Sequence, residues 1–185
     1  MPVPKSSYVL QGTMKREQRK KSNIVLIGMP GAGKSTVGVY LAKQVAKDFL
    51  DTDISIQRRE KRTLQEIIDR EGYLRLRRIE EEVLLSLDLR DHVIATGGSA
   101  AYSERAMAHL KEEGTVVFLN VSLRVLRSRI ADYDTRGIAR REDQTFEDLF
   151  RERFALYVKY ADIAIDCRES TQEQVTQRIR EELKL

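Results

Sequence analysis

One run of nine residues constrains the fold of this chain more than any other part. Residues 28–36 read Gly-Met-Pro-Gly-Ala-Gly-Lys-Ser-Thr and match the pattern G-x-x-x-x-G-K-[ST]. An apolar run at 24–27 precedes it, and an amphipathic stretch at 37–46 follows it. This strand–loop–helix order is the context of a phosphate-binding loop, because backbone N–H groups and the positive end of the helix dipole then face the phosphates. The sequence therefore predicts an α/β domain that binds ATP or GTP.

The residues of this loop have distinct predicted tasks. Its backbone N–H groups surround the phosphates, Lys34 reaches the β- and γ-phosphates, and the Ser35 hydroxyl ligates Mg²⁺. The alternative is a Gly-rich turn without a ligand, which the flanking strand and helix disfavour. The predicted nucleotide-binding residues of the loop are Gly31, Ala32, Gly33, Lys34, Ser35 and Thr36.

Composition and charge exclude several classes of protein. Apolar residues make up 41% and charged residues 34% of the 185 residues, which is typical of a globular domain. No apolar run approaches the roughly 20 residues that span a bilayer. Residues 1–21 hold six Lys or Arg and one Glu, so the net charge of +4 becomes −1 from residue 22 onward. The basic pI therefore gives no argument for nucleic-acid binding by the domain.

These observations divide the chain into two regions. We expect residues 1–21 to be a basic, disordered extension without the apolar segment of a secretory signal, and residues 22–185 to form a single domain. Cys167 is the single cysteine, so it cannot form an internal disulfide, and a reducing, cytoplasmic setting fits. We expect a cytoplasmic monomer that binds neither nucleic acid nor membranes.

Short β-type runs alternate with amphipathic helical stretches along the domain. This alternation predicts βαβ units and a parallel sheet that is covered on both faces. The predicted strands are 24–27, 49–51, 93–96, 116–120 and 163–166, and the predicted helices are 34–47, 63–70, 73–89, 103–112, 122–131, 145–160 and 171–184. The polar segment 132–143 breaks the pattern, and a loop of this length predicts a mobile flap that excludes water.

Two carboxylates follow the second predicted strand. Asp51 and Asp53 lie where ligands gather in parallel α/β sheets, at the carboxyl end of a strand. One could hold Mg²⁺ through water, and the other could accept a proton from a substrate hydroxyl. The alternative is that Thr52 or Asp53 only caps the next helix.

Two further patterns are open to more than one interpretation. Arg77 and Glu80 lie three residues apart on one helix, where they form either a surface ion pair or an arginine that receives a substrate carboxylate. Gly97 and Gly98 end a buried strand, where they permit close approach to a ligand or make a plain tight turn.

In their order along residues 23–184, these motifs resemble the shikimate kinase family. The corresponding stretches are the phosphate-binding loop, DTD at 51–53, GYLRLRRIE at 72–80, TGGS at 96–99, TRGIA at 135–139 and RFALY at 153–157. The resemblance implies a three-layer P-loop fold with a five-stranded parallel sheet in the order 2-3-1-4-5 and a mobile lid. It also implies a phosphotransferase that uses ATP and Mg²⁺.

The resemblance assigns roles on the nucleotide side of the site. Lys34 serves the phosphates, and Ser35 and Asp51 hold Mg²⁺, the latter through water. Arg136 closes over the transferring phosphoryl group as a catalytic residue, and Arg168 lies beside adenine.

On the acceptor side, the resemblance makes Asp53 the candidate base and a ligand of the acceptor hydroxyls. Arg77 and Arg153 grip a carboxylate, a task that suits the planar guanidinium, and Glu80 steadies Arg77. Backbone N–H groups for the acceptor come from Gly97 and Gly98.

The chain departs from the family pattern at three places on the acceptor side. Ser99 replaces a third glycine, the lid reads Arg-Gly-Ile-Ala at 136–139 without its proline and leucines, and Tyr73 and Leu76 replace a Glu and a Phe. The resemblance implies ATP-dependent phosphorylation of the 3-hydroxyl of shikimate, a step of aromatic amino acid biosynthesis. The alternatives are a kinase of another small hydroxylated acid or polyol, such as gluconate, and a non-catalytic ATP-binding module.

Overall fold

A five-stranded, fully parallel sheet forms the centre of the fold. The computed structural model describes residues 21–129, 137–168 and 170–185. The strands are β1 (Asn23–Ile27), β2 (Asp48–Asp51), β3 (His92–Ala95), β4 (Gly114–Asn120) and β5 (Ile163–Asp166). Their spatial order is β2-β3-β1-β4-β5, which confirms the predicted order 2-3-1-4-5.

Eight α-helices surround this sheet in the described part of the chain. They are α1 (Lys34–Val45), α2 (Thr52–Glu60), α3 (Leu64–Glu71), α4 (Tyr73–Leu85), α5 (Glu104–Glu113), α6 (Leu123–Arg129), α7 (Phe146–Tyr160) and α8 (Gln172–Leu183). A 3-10 turn, Ala100–Tyr102, precedes α5. No helix among the described residues is both long and apolar enough to span a bilayer. The α/β class and the alternation of strands and helices are therefore confirmed.

Helix α2 was not predicted from the sequence. Its apolar pattern is weak, since Thr52 and Ile56 are its only buried residues. Its start is set by Asp51, whose Oδ1 accepts a hydrogen bond from the Asp53 N–H at 2.9 Å. Capping by an aspartate satisfies an N–H that lacks a partner within the helix. The residue that caps is thus Asp51, rather than Thr52 or Asp53.

The core lies on both faces of the sheet, with a smaller cluster to one side. Residues 24–27 of β1 are almost completely buried, because β1 is the central strand and helices cover both of its faces. The smaller cluster joins α2, α3 and α4, and its buried members are Ile56, Ile67, Leu76, Ile79, Val83 and Ala139. It fixes these three helices beside the carboxyl ends of β1, β2 and β3.

The middle of the predicted flap at 132–143 contacts this smaller cluster through Ala139. Residues 130–136 lie outside the described residues, and the first part of the flap and the prediction for Arg136 fall there, as does most of the 1–21 extension. Residues 137–139, which we call the strap, pack on α3, where the Gly137 N–H donates to Gln65 Oε1 at 2.8 Å. Gly137 has φ +64°, and an added Cβ would lie 2.5 Å from Leu64 Cβ. A side chain at this position would therefore be both strained and crowded.

We expect alanine at Ile56 and at Ile54 to have opposite consequences, although both residues are on α2. Ile56 is 1% exposed, so Ile56→Ala should lower the free energy of unfolding by about 2–5 kcal/mol. Ile54 is 62% exposed, and Ile54→Ala should change it by less than about 0.5 kcal/mol. Urea unfolding of both variants measures the difference, and equal losses would contradict the packing of α2.

Candidate active site

The loop between β1 and α1 has the geometry of an anion-binding site. Gly33 precedes α1 with φ +92°, and no side chain caps this helix. The N–H groups at the start of α1 are therefore left for a ligand, and the helix dipole favours a negative one. Lys34 Nζ donates to the Gly28 and Met29 carbonyl oxygens at 2.8 and 3.0 Å. Burial lowers the pKa of Lys34 to about 8, while the charge of Asp53 opposes this shift.

A cavity of about 310 Å³ opens beside this loop. It lies where the carboxyl ends of β1, β2 and β3 meet α2, α4, α7 and the strap, as expected for a parallel sheet. The predicted site residues that line it are Gly31, Gly33, Lys34, Ser35, Thr36, Asp53, Glu80, Gly97, Gly98 and Arg153. The fold therefore brings together ten predicted residues from five separate parts of the sequence.

Two carboxylates meet at the first glycine of the turn after β3. A Cβ on Gly97 would lie 2.3 Å from Glu80 Oε1 and 2.7 Å from Asp53 Oδ1, so any larger residue there would force both carboxylates to shift. Burial raises the pKa of Asp53 above its ordinary value, and the charge of Lys34 opposes this rise. Burial also raises the pKa of Glu80 to about 7, and the charge of Asp53 adds to the rise. A carboxylate with a raised pKa suits the acceptance of a proton.

The second glycine of this turn, Gly98, lies close to the Arg153 guanidinium. A Cβ on Gly98 would lie 2.6 Å from Arg153 Nη1, and the Gly98 carbonyl accepts a hydrogen bond from the Tyr157 hydroxyl at 2.6 Å. The Gly97 N–H donates to Thr52 Oγ1 at 2.9 Å. The buried Thr52 hydroxyl thus takes the Gly97 N–H, which was predicted to face the acceptor, and the predicted role of the Gly98 N–H stays a prediction.

Arg77 and Glu80 do not form the predicted pair. The Arg77 guanidinium lies over the Tyr102 ring, 3.6 Å from its centroid, and the described residues contain no ion pair between Arg77 and Glu80. Glu80 Oε2 instead accepts a hydrogen bond from Ser99 Oγ. A guanidinium on an aromatic face gains a cation–π attraction, which offers Arg77 an alternative partner. Glu80 is thus steadied by Ser99 and does not itself steady Arg77.

The two predicted carboxylate-binding arginines nevertheless converge. Arg77 Nη2 and Arg153 Nη2 donate to the same oxygen, the carbonyl of Ala139 in the strap, at 3.3 and 2.8 Å. The Nε atoms of both arginines are buried without a hydrogen-bond partner among the described residues. Two converging guanidinium groups with unused donors can hold an anionic oxygen pair. Arg77 does not line the main cavity but borders an adjoining one of about 350 Å³.

A third cavity, of about 290 Å³, lies on the other side of the phosphate-binding loop. Its lining includes Ala32, Thr36, Cys167 and Ser170 but not Arg168. Arg168 pairs with Asp166 at 2.5 Å, since the two residues flank the end of β5. Burial raises the pKa of the Cys167 thiol to about 11, so the thiol stays neutral at physiological pH. The residues next to Arg168, rather than Arg168, face this cavity.

The contacts that several residues make in the site could not be predicted from the sequence. Thr52 and Tyr157 hold the backbone of the glycine turn, Tyr102 holds Arg77, and Ala139 contributes only its carbonyl oxygen. Each acts on a residue far away in the chain, so no spacing rule reveals it. Thr52, Ala139 and Tyr157 do lie within the stretches DTD, TRGIA and RFALY, but those stretches gave no indication of what the three residues contact.

The fold and the cavities together define a P-loop kinase. A family profile described as shikimate kinase matches residues 30–184. The shikimate kinase of Cereibacter sphaeroides is 38% identical over 169 residues, which cover 89% of this chain and 84% of that protein. The shikimate kinase of Rhizobium meliloti is 35% identical over 163 residues, covering 86% and 84%. The chain belongs to the shikimate kinase family, which confirms the family predicted from the motifs.

A solved structure agrees with this assignment. The shikimate kinase from Acinetobacter baumannii in complex with shikimate superposes with a TM-score of 0.81 at 32% identity. The match covers 88% of this chain and 93% of that one.

We expect Gly97→Ala to reduce phosphoryl transfer by about 100-fold or more, because the new methyl group displaces the Asp53 and Glu80 carboxylates. ADP production and thermal unfolding measured side by side test this expectation. Gly72→Ala is the control, since a Cβ there meets no described atom within 4 Å and only its backbone, with φ +82° and ψ 163°, is strained. The control should lose about 1–3 kcal/mol of stability and keep its turnover. Full activity of Gly97→Ala would contradict the tight approach at this turn.

Proposed function

We propose that this protein transfers the γ-phosphoryl group of ATP to the 3-hydroxyl of shikimate, giving shikimate 3-phosphate and ADP in aromatic amino acid biosynthesis. The strongest support is the arrangement around the main cavity. A half-buried acid, Asp53, lies beside the phosphate-binding loop, and two arginines, of which Arg153 lines this cavity and Arg77 the adjoining one, converge on the Ala139 carbonyl oxygen. This arrangement fits a small molecule with a hydroxyl group at one end and a carboxylate at the other.

On the nucleotide side, the loop N–H groups and Lys34 bind the phosphates. Among the described residues, the Lys34 ammonium donates hydrogen bonds to two neutral carbonyl oxygens, so anionic phosphate oxygens would compensate its buried charge better. We place the adenine in the cavity lined by Cys167 and Ser170. Arg136 lies outside the described residues, and its contact with the transferring group stays a proposal.

On the acceptor side, Asp53 accepts the proton of the reacting hydroxyl. The hydroxyl oxygen then forms a bond to the γ-phosphorus while the bond from that phosphorus to the β–γ bridging oxygen breaks, and ADP leaves. Such a reaction needs positioning and charge stabilisation more than covalent chemistry. The raised pKa of Asp53 suits proton acceptance near neutral pH.

Arg77 and Arg153 bind the acceptor carboxylate. The Ala139 carbonyl marks a point that an Nη2 donor of each arginine reaches. A carboxylate offers two oxygens and a full negative charge, so it is the stronger partner for both guanidinium groups. Their unpartnered Nε atoms provide further donors.

The residues present also fit Mg²⁺. Ser35 lines the main cavity, and Asp51 uses only Oδ1 in its helix cap, so its second oxygen accepts no hydrogen bond from the described residues. Oxygen donors and bound water are the ligands that Mg²⁺ prefers. When bound, Mg²⁺ neutralises charge on the β- and γ-phosphate oxygens. We propose that Ser35 holds it directly and Asp51 holds it through water.

We further propose that residues 22–185 act as one kinase domain in a cytoplasmic monomer that binds neither nucleic acid nor membranes. The near-neutral charge of these residues and the single, buried Cys167 support this proposal. The basic segment 1–21 is proposed to be a disordered extension.

The function is tested by coupled ADP production with Mg²⁺-ATP and shikimate, against a reaction without acceptor and one with gluconate. We expect turnover that depends on shikimate. Lys34→Ala should reduce it by about 1,000-fold, because the phosphates lose their fixed cation. Lys43→Ala, an exposed lysine on the same helix, should leave it unchanged. Turnover with gluconate alone would assign a different acceptor.

The role of Arg153 is tested by separating the two substrates. Arg153→Lys keeps the charge but loses the bidentate fork, so KM for shikimate should rise at least about tenfold while KM for ATP stays within about twofold. Arg151→Ala, an exposed arginine on the same helix, is the control and should change neither constant. A rise in KM for ATP instead would place Arg153 on the nucleotide side.

A further inference from the structure

A buried acid beside the main cavity has one oxygen that accepts no hydrogen bond from the described residues. Glu80 is 4% exposed, its Oε2 accepts a hydrogen bond from Ser99 Oγ, and its Oε1 has no hydrogen-bond partner in the part of the chain that the structure describes. A buried carboxylate oxygen without a donor costs about 1–3 kcal/mol or more, so it is rarely left that way. The reacting hydroxyl and the carboxylate of the acceptor already have their partners, and neither needs this oxygen.

The free oxygen lies beside the candidate base. Both Glu80 Oε1 and Asp53 Oδ1 lie within 3 Å of the same point, the position of an absent Cβ on Gly97, and both residues line the main cavity. Two hydroxyl groups on neighbouring carbons of one acceptor could therefore each donate to one of the two carboxylates. The Gly97 N–H, bonded to Thr52, does not compete for this position.

The Ser99 side chain sets this arrangement. Its hydroxyl, 7% exposed, bonds Glu80 Oε2 and so determines which oxygen is left free. Arg77, one helical turn before Glu80, is held instead by the Tyr102 ring and the Ala139 carbonyl. Within the described residues, Ser99 is thus the one hydrogen-bond donor to the Glu80 carboxylate.

We propose that Ser99 orients Glu80 so that Glu80 Oε1 accepts a hydrogen bond from a second acceptor hydroxyl, adjacent to the one that Asp53 deprotonates. Glu80 is then a binding residue that selects an acceptor with a vicinal diol, and Ser99 is a positioning residue that acts through Glu80. This inference rests on the proposed function, for which the hydroxyl adjacent to the 3-hydroxyl of shikimate is the 4-hydroxyl.

The charges around Glu80 make the proposed contact sensitive to pH. Burial and the Asp53 charge raise the pKa of Glu80 to about 7, whereas Ser99, Arg153 and Lys34 oppose the rise. The ionised form accepts a hydroxyl hydrogen bond more strongly than the protonated form. Acceptor affinity should therefore increase as pH rises through 7, and loss of the Ser99 hydroxyl should move this midpoint to higher pH.

The test compares Ser99→Ala with wild type in KM for shikimate, kcat and the pH profile of kcat/KM between pH 6 and 9. We expect KM for shikimate to rise about tenfold, because a charged hydrogen bond is weakened, while kcat and KM for ATP change little. The midpoint of the pH profile should move to higher pH. In a Glu80→Gln background, the same change should alter KM by less than about twofold, because Ser99 acts through Glu80.

A second acceptor tests the selected hydroxyl. Wild type should bind 4-deoxyshikimate about tenfold more weakly than shikimate, and this preference should shrink in Ser99→Ala. Ser103→Ala is the matched control, since the Ser103 hydroxyl caps α5 by accepting from the Ala106 N–H. It should lower thermal stability while leaving KM, the pH midpoint and the preference unchanged.

The outcomes separate this inference from the proposed function. No shikimate-dependent ADP production by wild type overturns both. If wild type turns over shikimate but Ser99→Ala has the same KM, the same pH midpoint and the same preference for shikimate over 4-deoxyshikimate, only the role of Ser99 and Glu80 is overturned. A loss of stability in Ser99→Ala without any of these changes would make Ser99 structural.

Discussion

The site depends on the mutual compensation of four charged groups that are largely withdrawn from water. Lys34, Glu80 and Arg153 are buried and Asp53 is half-buried around one cavity, and each alone would carry a desolvation penalty. The two acids moderate the lowered pKa of Lys34, and Lys34 and Arg153 moderate the raised values of the acids. Cations and carboxylates can be withdrawn from water together at a lower cost than any of them singly. The pKa values of both acids nevertheless stay raised, because desolvation outweighs the opposing charges of Lys34 and Arg153.

The turn after β3 holds these groups at contact distance. The parallel sheet places the ends of β1, β2 and β3 side by side, and residues 97 and 98 then lie between the acids and Arg153. The backbone of the turn is fixed from two sides, by the Thr52 hydroxyl and by the Tyr157 hydroxyl. Glycine at both positions permits this close approach, since a Cβ at either one would force the Asp53, Glu80 or Arg153 side chain to shift.

The two arginines proposed to bind the acceptor are held by an aromatic ring and by the backbone of the strap. Tyr102 orients Arg77 through its ring, while the strap gives Arg77 and Arg153 one shared backbone oxygen. The strap is held on α3 through Gln65, within the smaller apolar cluster. The two guanidinium groups are thereby aligned before any ligand is present, and such preorganisation reduces the entropy that binding must overcome.

Local properties of the sequence determined the phosphate-binding loop, the α/β class and the approximate strand positions, because glycine spacing and hydrophobic period are set by neighbouring residues. Helix α2 escaped prediction, since its stability comes from the Asp51 cap and from Ile56 in the smaller cluster. Only the tertiary structure decided that Ser99 bonds Glu80 and that Thr52 occupies the Gly97 N–H. Those contacts join residues 19 and 45 positions apart, so they follow from how strands and helices pack and not from any local pattern.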